Sequence, residues 1–443
     1  MASPKLGPAT HSKWEQWRDR AHTVVFGPFK SPSEEIAIYQ HDLLMSFVEG
    51  HKLKTWQLLL GFFSLFVVAK FVMAHVADVL WMPNGAIPLS LDIDRFAPFR
   101  LLMTAIFKAA EAPPAPNPPF VPYARDYADI VIGTLMAFHM VLMRNQWRRI
   151  SLAYHQLWEK GVLRRSVISE ITYNRLREKY QRWFGSRVWR FLTILLGIFL
   201  VDQLSSRVSS QGIYPSLNLP PNKAWQALAY SHWWANPVQH PILHLYWFLV
   251  EVLICTYFFR HIVVGVLAVF LCYETFKQPK PTSEPESQRQ TEPILKLCPT
   301  HTDETGGVRI LRQIMYRVFL SIMIGSFAFL MLYYCFGAVW EVDAVCALYL
   351  ACNPFFIIPP LWIVARHVSA AKHYEIERIE TDIQDAANNK DAAKVQVLQD
   401  KILLYSKVPD CLFSTHRLVT FAVEYLVPVI GFLHDVHQKV VKT

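Results

Sequence analysis

Residues Ile242–Tyr273 read ILHLYWFLVEVLICTYFFRHIVVGVLAVFLCY, a nearly unbroken apolar run holding only Glu251 and Arg260 as formal charges. A membrane-spanning helix needs about 20 mostly apolar residues, so this stretch commits the chain to a bilayer. At 1.5 Å per residue it measures roughly 48 Å against a hydrocarbon core of about 30 Å. It is either one tilted helix running past the membrane or a broken one. Glu251 and Arg260 are nine residues apart, on roughly opposite sides of a helix, and so need different partners.

Other apolar runs follow the same rule. Trp56–Leu80, Tyr127–Leu142, Trp189–Gln203, Ile314–Phe336 and Val345–Val364 all read as spans. Leu412–Leu433 is a weaker one because it carries Arg417, Glu424 and Pro428. The fold class is an all-α polytopic bundle of about seven spans, with six as the alternative. The chain divides into a cytoplasmic N-terminal segment (1–53) and two spans joined by an outer loop (54–143). A basic cytoplasmic segment (144–188) precedes spans three and four (189–275). A disordered cytoplasmic loop (276–312) then leads to spans five and six (313–366). A cytoplasmic helical hairpin (367–409) and a last span with its tail (410–443) complete the chain.

Composition agrees. The 443 residues are 53% hydrophobic and only 18% charged, against about 25% charged in soluble domains. The net charge of +9 has a single source. Arg144–Arg190 holds twelve Lys/Arg against three Glu, which equals the whole excess. A charge confined to one short connection is a topological signal and gives no support for nucleic-acid binding. Ser206–Pro241 contains only Arg207 and Lys223, so it belongs on the opposite, outer side. The N-terminus is then cytoplasmic, although Lys439 and Lys442 favour an inside C-terminus. The first 53 residues lack a short apolar stretch near the start, so no cleavable signal peptide is expected. Seven cysteines without a C-x-x-C pair read as reduced thiols. Trp81, Trp225, Trp233, Trp234, Trp247 and Trp340 fall at the outer edge, where an anchoring belt is expected.

The polar segments have distinct patterns. Ala112–Pro122 carries six prolines and is extended. Leu157, Val162, Ile168, Ile171 and Leu176 share one face of the basic segment, with breaks at Gly161 and Gly185. That helix either docks on anionic lipid or only fixes topology. Gln278–Glu292 (QPKPTSEPESQRQTE) is expected to be disordered. In His367–Lys407, Ile376, Ile379 and Ile383 form one stripe and Val395, Leu398, Ile402 and Tyr405 another, with Asp391 as the cap of the second arm.

Ionisable groups inside spans are costly and usually face a bundle interior. The pore or gating candidates are Glu251, Arg260, Arg417 and Glu424. Lys70, His75, Asp78 and His139 also fall in spans, with Lys70 and Asp78 near enough to an end to snorkel. Asp126, Asp129, Asp202, Glu341 and Asp343 gather at outer span ends as an acidic mouth for cations. Its alternative is ordinary polar loops. His240 and His244 are weak metal candidates, since Pro241 is expected to disturb the helix between them. Membrane haem needs paired His on facing helices, and His75 and His139 are the one pair worth naming. No Walker loop, G-x-G-x-x-G, G-x-S-x-G or H-E-x-x-H occurs, so catalysis is disfavoured and no cofactor is expected.

One loop is distinctive: Pro299-Thr300-His301-Thr302-Asp303-Glu304-Thr305-Gly306-Gly307-Val308. It resembles the H-P-D-x-x-G-G-L loop of a set of uncharacterised bacterial multi-pass membrane proteins, with Thr302 in place of Pro and Val308 in place of Leu. Similar too are Leu157-Trp158-Glu159-Lys160-Gly161 and the Glu375–Lys407 hairpin before a Pro-containing apolar segment. The resemblance implies a multi-pass protein of a bacterial inner membrane and lends no activity. In the loop, His301, Asp303, Gly306 and Gly307 either cap the following helix or bind an ion. The functional expectation is a homo-oligomeric channel or pore-like effector gated by cytoplasmic helices. The alternatives are a non-conducting scaffold or sensor with a cytoplasmic partner, or a transporter.

Overall fold

The structure is a computed structural model that describes residues 38, 42–80, 122–211, 233–277, 292–298, 307–336, 340–408 and the single positions 420, 423 and 430. Among these residues the regular structure is helical, apart from one isolated antiparallel bridge between Leu163 and Leu295. The helices are α1 (Leu43–Gly50), α2 (Thr55–Val76), α3 (Tyr127–Glu159), α4 (Glu170–Phe184), α5 (Arg187–Gln211), α6 (Pro241–Phe276), α7 (Arg309–Phe336), α8 (Trp340–Asn388) and α9 (Ala392–Lys407). Among the described residues four stretches are long and apolar enough to cross a membrane: Thr55–Val76, Glu170–Ser205, Pro241–Phe276 and Pro354–Asn388. On that ground the chain is an all-helical membrane protein.

The stretch Ile242–Tyr273 forms one uninterrupted helix, α6. Pro241 occupies the start of α6 and does not interrupt it, contrary to expectation. A first-turn N–H has no intrahelical acceptor in any case, so proline is tolerated there. α6 is the central element. It buries Trp247, Val250, Ile254, Tyr257, Val264 and Leu271 against α2, α3, α4, α5 and α8. α5 lies close along it because Gly197 has no side chain. A Cβ there would sit 2.6 Å from Thr256 Oγ1 and 3.1 Å from the Val252 carbonyl oxygen. Small residues allow such approach between membrane helices. The other side of α5 exposes Val188, Phe191, Leu195, Ile198 and Phe199, the face a lipid tail covers.

α2 contains a π-helical stretch, Ser64–Val68. A π turn disturbs the regular ladder and rotates the facing of the residues after it. Two of its carbonyls accept side-chain hydroxyls, Leu65 from Tyr246 at 2.6 Å and Val67 from Tyr123 at 3.2 Å. Two residues later comes Lys70.

The cytoplasmic expectations are revised in three places. First, Val345–Val364, expected as the sixth span, and the polar arm after it belong to one continuous 49-residue helix, α8, with Pro354, Pro359 and Pro360 inside. Proline removes single donors, and a helix packed on neighbours tolerates this. Beyond it, Lys390 takes φ +56°, Asp391 accepts from the Lys394 amide at 3.0 Å as expected, and α9 begins. Lys372 Nζ reaches the Val408 carbonyl at 3.0 Å, so α9 returns along α8. Second, residues 292–298, expected to lie in a disordered loop, are folded. Ile294, Leu295 and Leu297 are buried, and backbone bonds of 2.8 Å join Arg164 to Ile294 and Lys296 to Val162. Three apolar side chains in seven residues supply the burial that the neighbouring Pro/Ser/Glu run lacks. Third, Ile171 is exposed, and α4 turns Tyr173, Tyr180 and Phe184 inward instead. The breaks at Gly161 (φ +64°) and at Gly185, the C-cap of α4, fall where expected.

Candidate functional site

A ladder of buried polar side chains runs along α6. Its first rung is Lys70, fully buried although expected to snorkel. Its ammonium donates to Asp129 Oδ1 at 2.7 Å and to Glu251 Oε1 at 2.8 Å. Lys70 lies more than a turn inside α2 and points into the bundle, so the carboxylates of α3 and α6 replace water. Trp247 Nε1 adds a 3.2 Å bond to Asp129 Oδ1, while Asp129 Oδ2 is buried and has no hydrogen-bond partner among the described residues.

Asp126 stands beside this rung. It caps α3 by accepting from the Asp129 amide at 3.2 Å. Its Oδ2 accepts from the indoles of Trp233 at 3.3 Å and Trp234 at 2.8 Å. Two expectations change here. Asp126 and Asp129 do not form an open acidic mouth, because indole N–H groups and Lys70 enclose them. Trp233, Trp234 and Trp247 are buried at 3%, 0% and 4% exposure, so they are internal donors and not a lipid-facing belt. Asp202 is exposed on α5. The side chains of Glu341 and Asp343 lie outside the described residues, as do Arg417, Glu424, His301, Asp303 and Gly306.

The second rung is Arg260, paired with Asp42 and lying over the Trp147 ring at 5.4 Å. Asp42 caps α1 through the Met45 amide at 2.8 Å and accepts the Tyr257 hydroxyl at 2.6 Å. Glu251 and Arg260 therefore take separate partners, as their angular separation requires. The third rung joins α3, α6 and α7. Trp147 Nε1 donates to His261 Nδ1 at 3.3 Å, His261 Nε2 lies 3.1 Å from Ser321 Oγ, and Ser321 Oγ lies 3.3 Å from His139 Nδ1. An indole can only donate, so His261 keeps its proton on Nε2 and donates it to Ser321. Beyond Ser321, His139 Nε2 is buried and has no hydrogen-bond partner among the described residues. His139 meets His261 edge to face at 5.1 Å. His75, its expected partner, is exposed on α2.

The remaining candidates are structural. His240 caps α6 with its backbone, and His244 Nδ1 lies 2.9 Å from the Ala235 carbonyl. Among the described residues no group of three or more His, Cys, Asp or Glu side chains converges as metal ligands do. Gly307 has φ +97°, and a Cβ there would meet Val162 Cγ2 at 2.8 Å. It seats the end of the loop against the 162–164 pairing.

Below the ladder, ion pairs tie the basic segment to its neighbours. Arg144 pairs with Glu49 at 2.6 Å, Lys179 with Glu274 at 2.6 Å and Arg164 with the buried Glu375 of α8 at 2.7 Å. Tyr405 of α9 donates to the Leu297 carbonyl at 3.3 Å. Burial, and then the Glu375 carboxylate, push the Tyr405 phenol above its ordinary range.

Asp42, Trp147, His261 and Ser321 were not legible as site residues. Asp42 falls in the polar N-terminal segment, Trp147 falls in the basic segment, and Ser321 is one serine in an apolar run. His261 had a signal in its adjacency to Arg260 within a span. No protein-family model, curated protein or solved structure matches the chain.

Proposed function

We propose that the protein moves protons or small cations across the membrane as a channel or pore-like effector gated by its cytoplasmic helices. The observation that carries this reading is the Lys70 rung. Two carboxylates, Asp129 and the partly buried Glu251, face one buried ammonium, and Asp129 Oδ2 has no donor among the described residues. Such a cluster has room for one further positive charge, and an intramembrane carboxylate in this setting exchanges a proton or cation. The His261–Ser321–His139 chain, nearly three turns further along α6, offers a second relay of the same kind.

The finer architecture belongs to this proposal. It comprises seven spans with a cytoplasmic N-terminus in a bacterial inner membrane, and a homo-oligomer built through the His367–Lys407 hairpin. Arg417 and Glu424 on the last span line the path, and Asp202, Glu341 and Asp343 face its outer end. The Arg164–Glu375 pair links the basic segment to α8, so movement of α8 reaches the spans directly. The second reading is a non-conducting scaffold or sensor with a cytoplasmic protein partner. The pairing of Lys70, Arg144, Arg164 and Arg260 with carboxylates favours it, since paired charges also serve packing.

The test is ion flux into liposomes that hold a pH-sensitive dye and a potassium gradient clamped by valinomycin. Conduction is expected in the wild type, with at least a tenfold loss in Asp129→Asn and Glu251→Gln. A wild type that passes neither protons nor alkali cations under pH or voltage gradients leaves the scaffold reading in possession.

A further inference from the structure

We infer that the crevice between the α1–α2 turn and α3 binds the phosphate of an anionic phospholipid. Glu49, Lys52, Lys54, Thr55, Arg144 and Arg148 line it, and its accessible lining is mostly polar. It encloses about 580 Å³, within the roughly 300–1,000 Å³ of small-molecule sites. Arg144 and Arg148 stand four apart on α3 and so share a face. Glu49 is the one carboxylate in the lining, and Arg144 Nε already donates to it at 2.6 Å. Lys52, Lys54 and Arg148 are exposed and make no ion pair among the described residues. The crevice therefore carries three uncompensated positive charges. Arg144 adds a donor held in place. Its side chain is 9% exposed, Nη1 donates to Asn145 Oδ1 at 3.2 Å, and Nη2 has no partner among the described residues.

Position selects a lipid over a soluble phosphate. Thr55 is the first residue of the apolar helix α2, and Arg144 follows closely on the apolar run Tyr127–Leu142 of α3. The crevice thus lies at the edge of the apolar zone, where basic pockets between membrane helices take up anionic head groups. Beside it, Trp56 and Leu60 are 58% and 55% exposed and four residues apart, an apolar strip down α2 for an acyl chain. Charge selects among lipids. The lining holds no free carboxylate for a choline or ethanolamine group, so an anionic head group fits and a zwitterionic one leaves its ammonium among cations. The site shares no residue with the Lys70 or His261 rungs, so it stands whether or not the protein conducts ions.

The experiment uses the full chain in detergent micelles, with graded phosphatidylglycerol or phosphatidylcholine of the same acyl chains, read by native mass spectrometry. Three charges at about fivefold each give phosphatidylglycerol a roughly hundredfold preference for the first bound lipid. Lys54→Gln with Arg148→Gln removes two exposed cations and is expected to leave a preference of about fivefold. Lys54→Arg with Arg148→Lys keeps the wild-type preference. Arg175→Gln with Arg182→Gln removes two exposed cations from α4 instead and is expected to change it less than about twofold. Equal binding of the two lipids by the wild type overturns the site. An α4 variant that loses as much as the crevice variant overturns it in favour of diffuse surface charge. Displacement of phosphatidylglycerol by an equal concentration of glycerol 1-phosphate overturns the lipid and assigns the crevice to a soluble phosphate ester.

Discussion

Replacing Lys70 by methionine removes the ammonium and keeps the length of the side chain. The wild-type group makes two charge-assisted bonds, 2.7 Å to Asp129 and 2.8 Å to Glu251, from a fully buried position. Hydrogen bonds to charged groups contribute about 1.5–3 kcal/mol each. Removing one partner of a buried ion pair typically costs about 3–5 kcal/mol, because the remaining charge is left without compensation. Lys70→Met is therefore expected to destabilise by about 3–5 kcal/mol. Lys70→Met combined with Glu251→Gln removes the ammonium and one carboxylate together. It is expected to recover about 2 kcal/mol relative to the sum of the single changes. The assay is reversible unfolding in mixed micelles, followed by tryptophan fluorescence across the four-variant cycle. Trp247, one of the fourteen tryptophans that contribute to the signal, bonds to Asp129 at the rung itself. A Lys70 that snorkels to the membrane surface would cost less than about 1 kcal/mol, as exposed pairs do. Such a value for Lys70→Met, additive with Glu251→Gln, refutes the buried rung.

Gly197→Leu drives atoms into Thr256 and the Val252 carbonyl, and it should cost about 1–3 kcal/mol by overpacking α5 on α6. Adding Thr256→Ala should restore only part of the loss in the same unfolding assay, since the backbone contacts remain. Arg164→Met leaves Glu375 buried beside Arg378 alone, and it is expected to raise amide exchange across residues 292–298 while the spans keep their protection. Tyr405 is held protonated, so its contribution is full below the ordinary phenol value and is lost as pH rises above about 10. Proteolysis between α8 and α9 should accelerate over that alkaline range in the wild type, and Tyr405→Phe should lose the dependence. Gly307→Ala strains a left-handed backbone and crowds Val162, so it should lower the melting temperature, with Val162→Ala giving partial rescue.

Much of the helix pattern was legible in the chain. Ile242–Tyr273 reads as one long apolar helix or a broken one, and Pro241 at its first position explains why it starts there unbroken. Asp391 reads as a cap and is one, because capping depends only on residues within one turn. The opposed placement of Glu251 and Arg260 follows from helix geometry alone. The burial of Lys70 was not legible, because distance along α2 says nothing about direction, and direction is altered by the π turn at Ser64–Val68. The roles of Trp233 and Trp234 were hidden for a related reason. Trp at a span edge has the same composition whether it faces lipid or donates to a carboxylate from another helix.

The sequence by itself determined that this is a helical membrane chain with its basic excess in one connection, since apolar run length and local charge are properties of the chain. Tertiary structure alone decided which polar side chains inside the bundle meet. Asp42 with Arg260, Lys70 with Asp129 and Glu251, and His139 with His261 are pairings between residues far apart in the chain. The energy of such a pair depends on distance and on the exclusion of water, and neither quantity exists until the helices pack.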